Sequence, residues 1–186
     1  WLFLASLQAR NPTLIQGGDN LLLLLLFWGM FLPLGARFAI DAALDRGGYL
    51  HDVGKIGIPD AILLKAGRLN PGEYARIKEH PVIGDRLCGE LRSLRRVRPI
   101  VRHHHERLDG SGYPDGLKGD AVPLLAQIMG IVDVYDALTT NRPYKKAYSP
   151  EQAYGTLIDE VRRGWRRRDL VETFIALKLE AVRVPC

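Results

Sequence analysis

Cysteine is almost absent from this chain, with Cys88 and Cys186 alone among 186 residues. The two are far apart and match no metal-ligand spacing, which excludes a thiolate site; they fit a reducing compartment, with Cys88 a small helix-packing residue. Period-two alternation is missing too, so strands are scarce and a sheet protein is excluded. Internal repeats and low-complexity tracts are also lacking. Acidic residues number 21 against 26 Lys and Arg, a formal charge of +5. That balance suits an anionic substrate or a membrane surface without choosing between them. Histidine is sparse, with five in the chain and none before His51.

Charge is absent from Asn20 to Ala36, where Leu21 to Leu26 are consecutive leucines followed by Phe27, Trp28, Met30, Phe31 and Leu32. The run is apolar all round, unlike an amphipathic surface helix. It predicts a membrane helix over 21–36, slightly short of the ~20 residues of a full crossing. A buried helix of a larger soluble protein and a disordered remnant are the alternatives. Arg10-Asn11-Pro12, Gly17-Gly18-Asp19, the leucine run and Phe31-Leu32-Pro33-Leu34-Gly35-Ala36-Arg37 together resemble part of the HTTM family of polytopic membrane proteins. The first residue, Trp1, reads as the start of a fragment. Gly47-Gly48 is expected to break any helix. It divides the chain into an apolar segment, 1–46, and a domain, 49–186. A frameshift, recombination or assembly junction would explain such a seam.

Helix signals fill the second part. Asn70-Pro71-Gly72-Glu73 joins an N-cap, a first-turn proline and a capping-box glutamate. It predicts a helix to about Glu79, which His80-Pro81 then interrupts. Further helices are expected from Pro81 to about Arg95, Pro99 to about Arg107, Pro123 to Thr140, Ser149 to about Arg163 and near Asp169–Lys178. Asp109 to Gly119 reads as a long ordered loop. The fold class is all-α.

Several residues in these helices carry chemistry. On a helix from Pro99 to Leu108, His104 and His105 share an inward face with Ile100 and Val101, while His103 faces solvent. Two adjacent inward imidazoles serve two neighbouring metal ions; core histidines bonded to backbone are the bland alternative. Asp133 lies in apolar Ile131-Val132-Asp133-Val134 and needs a buried counter-charge, either a metal ion or a side chain such as Arg142. Asp136 shares its face. His51-Asp52-Val53-Gly54-Lys55 places an imidazole, a carboxylate that can bridge two ions and an ammonium within one turn. All these donors are nitrogen or oxygen, which suits iron, manganese or zinc in a hydrolytic site.

His51-Asp52-Val53-Gly54-Lys55-Ile56-Gly57-Ile58-Pro59-Asp60, His80-Pro81, His104-His105-Glu106, Asp109-Gly110-Ser111-Gly112-Tyr113-Pro114, Asp133-Val134-Tyr135-Asp136-Ala137-Leu138-Thr139 and Arg142-Pro143-Tyr144-Lys145 together resemble an HD-GYP domain over about 49–176. The resemblance implies an HD-domain helical bundle, here N-terminally truncated. It also implies a metal-dependent phosphodiesterase acting on cyclic di-GMP in bacterial second-messenger signalling. By position it implies His51, Asp52, His80, His104, His105 and Asp133 as ligands of two or three divalent ions, iron or manganese, with zinc as the alternative. Asp52 and Lys55 would be catalytic. Lys55, Tyr113, Asp136, Arg142 and Lys145 would contact substrate. Packing alone for Tyr113, and solvated charge for Arg142 and Lys145, are the plainer readings.

The HD pattern also supplies a histidine from a helix before the HD pair, and this chain has none there. Asp41 and Asp45 are the available substitutes. The expectation is impaired activity and an uncovered apolar face where the first helices belong. An inactive cyclic di-GMP receptor acting through a signalling partner or homodimer is the alternative, as is a hybrid fragment without selected function. Two arginine runs, 92–102 and 162–168, read as solvated faces, with anionic lipid next and nucleic acid last, on the reading that no aromatic platform interleaves the arginines. A cytoplasmic catalytic domain anchored through 21–36 is the expected placement.

Overall fold

The computed structural model describes residues 34–141 and 146–183. Helix α1 spans Leu34–Leu50, and a short 3-10 turn follows at Val53–Gly57. Then come α2 (Asp60–Leu63), α3 (Pro71–Ile77), α4 (His80–Gly89), α5 (Arg98–His103), α6 (Leu124–Thr139), α7 (Pro150–Arg162) and α8 (Arg168–Arg183). Among the described residues there is no strand, only an isolated antiparallel bridge between Asp109 and Lys118. The all-α expectation holds.

Helix α6 is the centre of the bundle because its sequence is apolar on most sides. Ile128, Met129, Ile131 and Val132 are buried against Leu44 of α1, Ile100 of α5, Leu157 of α7 and Phe174 of α8. Tyr135 stacks on Tyr154 at 5.6 Å and meets Phe174 edge-on at 5.2 Å, which ties α6 to both later helices. A second cluster of Cys88, Val97 and Val101 joins α4 to α5, with Leu50 and Val53 packed on it. This second cluster matters for function, because it seats the His51-Asp52 turn against the two helices that bring the other histidines.

Both capping boxes form as the sequence predicts. Asn70 accepts from the Glu73 amide at 2.8 Å while Glu73 accepts from the Asn70 amide at 2.8 Å. Ser149 and Gln152 repeat the exchange at the start of α7. Gly164, at φ 75°, lies just beyond the end of α7, as expected.

Other expectations need correction. Gly47-Gly48 does not break the helix: α1 runs through it to Leu50. The reason is packing. A Cβ on Gly47 would stand 2.9 Å from the Ile100 side chain, so glycine lets α1 lie close on α5, and that contact outweighs a helix cost of ~1 kcal/mol. Leu44, fully buried, and Ala43 cover the face that was expected to be bare. Helix α4 ends at Gly89, short of Arg95, and α5 ends at His103, short of Arg107. Helix α8 continues well past Lys178. No helix among the described residues is long and apolar enough to cross a membrane. The run expected to span one, 21–36, lies outside the described residues except for its last three positions, and the segment resembling the HTTM family lies outside them except for Leu34 to Arg37.

Candidate metal centre

Four elements bring the chemistry together. His51 and Asp52 follow the last turn of α1, His80 opens α4, His104 caps α5, His105 follows it, and Asp133 projects from α6. Ligand atoms of Asp52, His80, His104 and His105 all lie within 4.8 Å of one another. His80 Nε2 is 3.2 Å from Asp52 Oδ1 and 3.4 Å from His104 Nε2. His51 Nε2 is 3.5 Å from Asp52 and 3.7 Å from Asp133.

Three of these rings are fixed by the same device. His51 Nδ1 donates to the Gly48 carbonyl at 2.8 Å, His80 Nδ1 to Ile77 at 2.7 Å and His104 Nδ1 to Val101 at 2.9 Å. A carbonyl only accepts, so each Nδ1 carries a proton and each ring turns its Nε2 toward the shared centre. Orientation of a ligand ring by a backbone acceptor is the usual outer support of a metal site. His80 and His104 are 1% and 0% exposed, so their Nε2 atoms meet in the interior.

Charge at the centre fits the same picture. Burial would raise Asp52, yet Lys55, His51 and His80 hold its carboxyl well below the usual range. Burial would also raise Asp133, and His51 and His105 reverse that. His104 is pushed far down by burial and by the neighbouring His105 and His51, and His105 is lowered to about 4 chiefly by burial. His51 alone goes up, to about 9, because Asp52 and Asp133 outweigh the opposing effect of burial. Ionised carboxylates and neutral imidazoles are the forms that bind cations. Asp52 and Asp133 draw His51 toward its protonated form, and an ion bound there would take the place of its Nε2 proton. The donor set therefore fits divalent ions.

The candidate substrate contacts are distributed around this centre. Lys55 pairs with Asp52. Tyr113 lies over His105 at 4.8 Å between ring centroids, and its amide donates to the His105 carbonyl at 3.3 Å. Asp136 sits one helical step beyond Asp133, and its charge acts on Lys178 of α8. Arg142 and Lys145 lie outside the described residues, as does any structural account of them. Asp45, one of the two substitutes for an upstream histidine, has a buried Oδ1 without a hydrogen-bond partner and belongs to neither group of candidate ligands. Asp41's side chain is outside the described residues.

The reading of 99–108 as continuous helix fails, because α5 stops at His103. The last residues turn instead, so His104 and His105 still face inward, but His103 does not face solvent. Its side chain is 15% exposed and lies 3.5 Å from Asp115. Sequence reasoning also missed what holds the glycine-rich loop. Glu106, 2% exposed, accepts from the amides of Asp115 at 2.7 Å, Gly116 at 3.1 Å and Leu117 at 3.2 Å. Arg102 grips Asp115 with two bonds of 2.8 Å. His103, Glu106 and Asp115 are close enough to resemble a second ligand group. Their carboxylates are already engaged by these amides and by Arg102. A carboxylate directly after two candidate ligand histidines was the available signal, since a buried acid must find donors.

The arginine runs are largely exposed, as expected of solvated faces, with Arg166 the buried exception. Arg166 is buried and bonded to Glu160, while Arg162, Arg167 and Arg168 pair with Asp159, Asp169 and Glu172. An aromatic does interrupt that run: Trp165. Its ring is covered by Arg107 at 3.5 Å, with Arg163 at 5.0 Å.

Comparison with known proteins agrees with this geometry. The chain is 46% identical over 117 residues to a probable cyclic di-GMP phosphodiesterase of Vibrio cholerae, covering 59% of the chain and 26% of that protein. It is 49% identical over 116 residues to a cyclic di-GMP phosphodiesterase response regulator of Xanthomonas campestris, covering 61% of the chain and 31% of the relative. A cyclic di-GMP phosphodiesterase of Thermotoga maritima is 42% identical over 137 residues, covering 73% of the chain and 37% of the relative. The chain thus spans only a quarter to two fifths of the length of these relatives. A match to the HD domain family extends over residues 30–166, across Gly47-Gly48 and through every candidate ligand, and this chain belongs to that family.

Proposed function

We propose that this chain is a metal-dependent phosphodiesterase hydrolysing cyclic di-GMP. The observation that carries the reading is the convergence of histidine Nε2 atoms, each oriented by a backbone carbonyl, upon ionised Asp52. His51, Asp52, His80, His104, His105 and Asp133 would hold the ions; their nitrogen and oxygen donors suit iron, manganese or zinc, and the family resemblance puts iron or manganese first. Divalent ions bound there would polarise the phosphodiester and lower the pKa of water for attack at phosphorus. The residues do the rest. The Nδ1 bonds keep each ring aimed inward. Asp52 has an oxygen toward His80 and another toward Lys55, so it links the ligand group to an ammonium that can meet a phosphate oxygen. Tyr113 closes one side over His105. Asp136, Arg142 and Lys145 complete the substrate contacts in this reading.

Relatives named 3′3′-cGAMP-specific phosphodiesterases are 36% to 44% identical, so both dinucleotides belong in the assay. With manganese or iron, cyclic di-GMP is expected to be converted to linear dinucleotide or GMP, and chelation should abolish this. Asp52→Asn is expected to lower the rate by at least ~100-fold and to weaken manganese binding measured by calorimetry, with a far-ultraviolet circular dichroism spectrum unchanged. A second reading is a receptor that binds without turnover. It is favoured by the absence of any histidine before His51. Tight binding of cyclic di-GMP by metal-loaded protein with no product would select it.

A further inference from the structure

Lys78 differs from several paired cations in this part of the chain. Lys55 is paired with Asp52, Lys65 with Glu73, Arg76 with Glu79 and Arg102 with Asp115. Lys78 has no carboxylate partner among the described residues. Its ammonium lies instead 5.1 Å from the ring centre of Tyr74 and 5.8 Å from that of Tyr113. Tyr113 in turn stacks on His105. A column therefore leads outward from the ligand group: His105, Tyr113, Lys78, Tyr74. Its outermost ring, Tyr74, is 50% exposed.

The chemistry of this column matches the part of a cyclic dinucleotide that is not being cleaved. Such a ligand carries a second phosphodiester across its macrocycle and two purines that project from it. An ammonium held over two rings and left without a carboxylate is a point charge available to an anion. An exposed tyrosine face beside it offers a stacking surface to a purine. Helix packing alone does not explain the arrangement, because Lys78 caps the short α3 while Tyr113 belongs to a loop 35 positions later. We propose that Lys78 and Tyr74 form a substrate-binding rim, with Lys78 meeting the phosphodiester that is not hydrolysed and Tyr74 stacking a purine. The rim rests on the phosphodiesterase reading and extends it to two residues outside the ligand set.

The test uses manganese-loaded protein with two probes, cyclic di-GMP and bis(p-nitrophenyl) phosphate. The second probe has a phosphodiester but neither a purine nor a second phosphate. Lys78→Met is expected to weaken cyclic di-GMP binding about tenfold by calorimetric titration, and Tyr74→Ala by a similar factor, with Tyr74→Phe near wild type. Hydrolysis of bis(p-nitrophenyl) phosphate and the melting temperature should stay at the wild-type values in all three. Unchanged cyclic di-GMP affinity in Lys78→Met and Tyr74→Ala would overturn the rim. So would an equal loss on both probes with a lowered melting temperature, which would make the pair structural. Turnover of bis(p-nitrophenyl) phosphate by the wild type without any binding of cyclic di-GMP would remove the substrate reading itself, and the rim with it.

Discussion

At the scale of single residues, a buried carboxylate and three aligned imidazoles do different work. The imidazoles present Nε2 atoms to a shared centre. Glu106 turns away from that centre and gathers three consecutive amides of the loop that carries Tyr113. Its negative charge is compensated by those amides, in a location with no exposed side-chain surface. Glu106→Gln keeps the shape but replaces one acceptor oxygen with an NH2 group. That group would face a backbone N–H, donor against donor. A buried donor left unsatisfied costs about 1–3 kcal/mol. The expected result is a lower unfolding midpoint of that size and faster hydrogen exchange at Asp115, Gly116 and Leu117, with helix content retained. Exchange at those amides matching the wild type would show that the loop is held by Arg102 and Asp115 alone.

At the scale of elements, the site depends on how closely the turn after His51-Asp52 approaches α4. A Cβ on Gly54 would stand 1.9 Å from the His80 carbonyl oxygen and 2.5 Å from the Gly84 amide nitrogen. No side-chain rotation relieves a clash with backbone. Gly54→Ala is therefore expected to lift the turn from α4 and separate Asp52 from His80. Overpacking of this kind costs about 1–3 kcal/mol, often more against backbone. Manganese titration should show weakened binding, while far-ultraviolet circular dichroism stays helical. Wild-type manganese affinity in that variant would mean the turn can shift without disturbing the ligands. The same element scale explains what the sequence disclosed. The caps at Asn70 and Ser149 are local, so residue spacing reveals them. The inward aim of His104 and His105 was also legible, though for the wrong reason, since the helix assumed to present them stops at His103. Gly47-Gly48 misled because its meaning lies in Ile100, more than fifty positions away. His103, Glu106 and Lys78 were misread or missed for the same cause. His103 and Glu106 meet the loop at Asp115 and its neighbours, and Lys78 meets it at Tyr113, and no periodicity encodes that loop's path.

At the scale of the whole molecule, the question is whether α1 is part of the bundle or an attachment to it. Leu44 is fully buried and belongs to the same apolar cluster as Ile100, Met129, Leu157 and Phe174. Helix α1 also delivers the site, because the Gly48 carbonyl in its last turn holds the His51 ring. Packing on one side of the helix and ligand placement at its end are thus mechanically joined. Removing the Leu44 side chain to alanine leaves a cavity among residues from α5 and α6, and such changes cost ~2–5 kcal/mol. Leu44→Ala is expected to lower the denaturation midpoint accordingly, in one cooperative transition rather than two. Saturating manganese should raise the midpoint of both proteins, because a ligand that binds only the folded state stabilises it by mass action. If α1 merely adhered to a self-sufficient bundle, the variant would instead lose helical signal in an early, separate step and keep the wild-type midpoint and manganese response for the remainder.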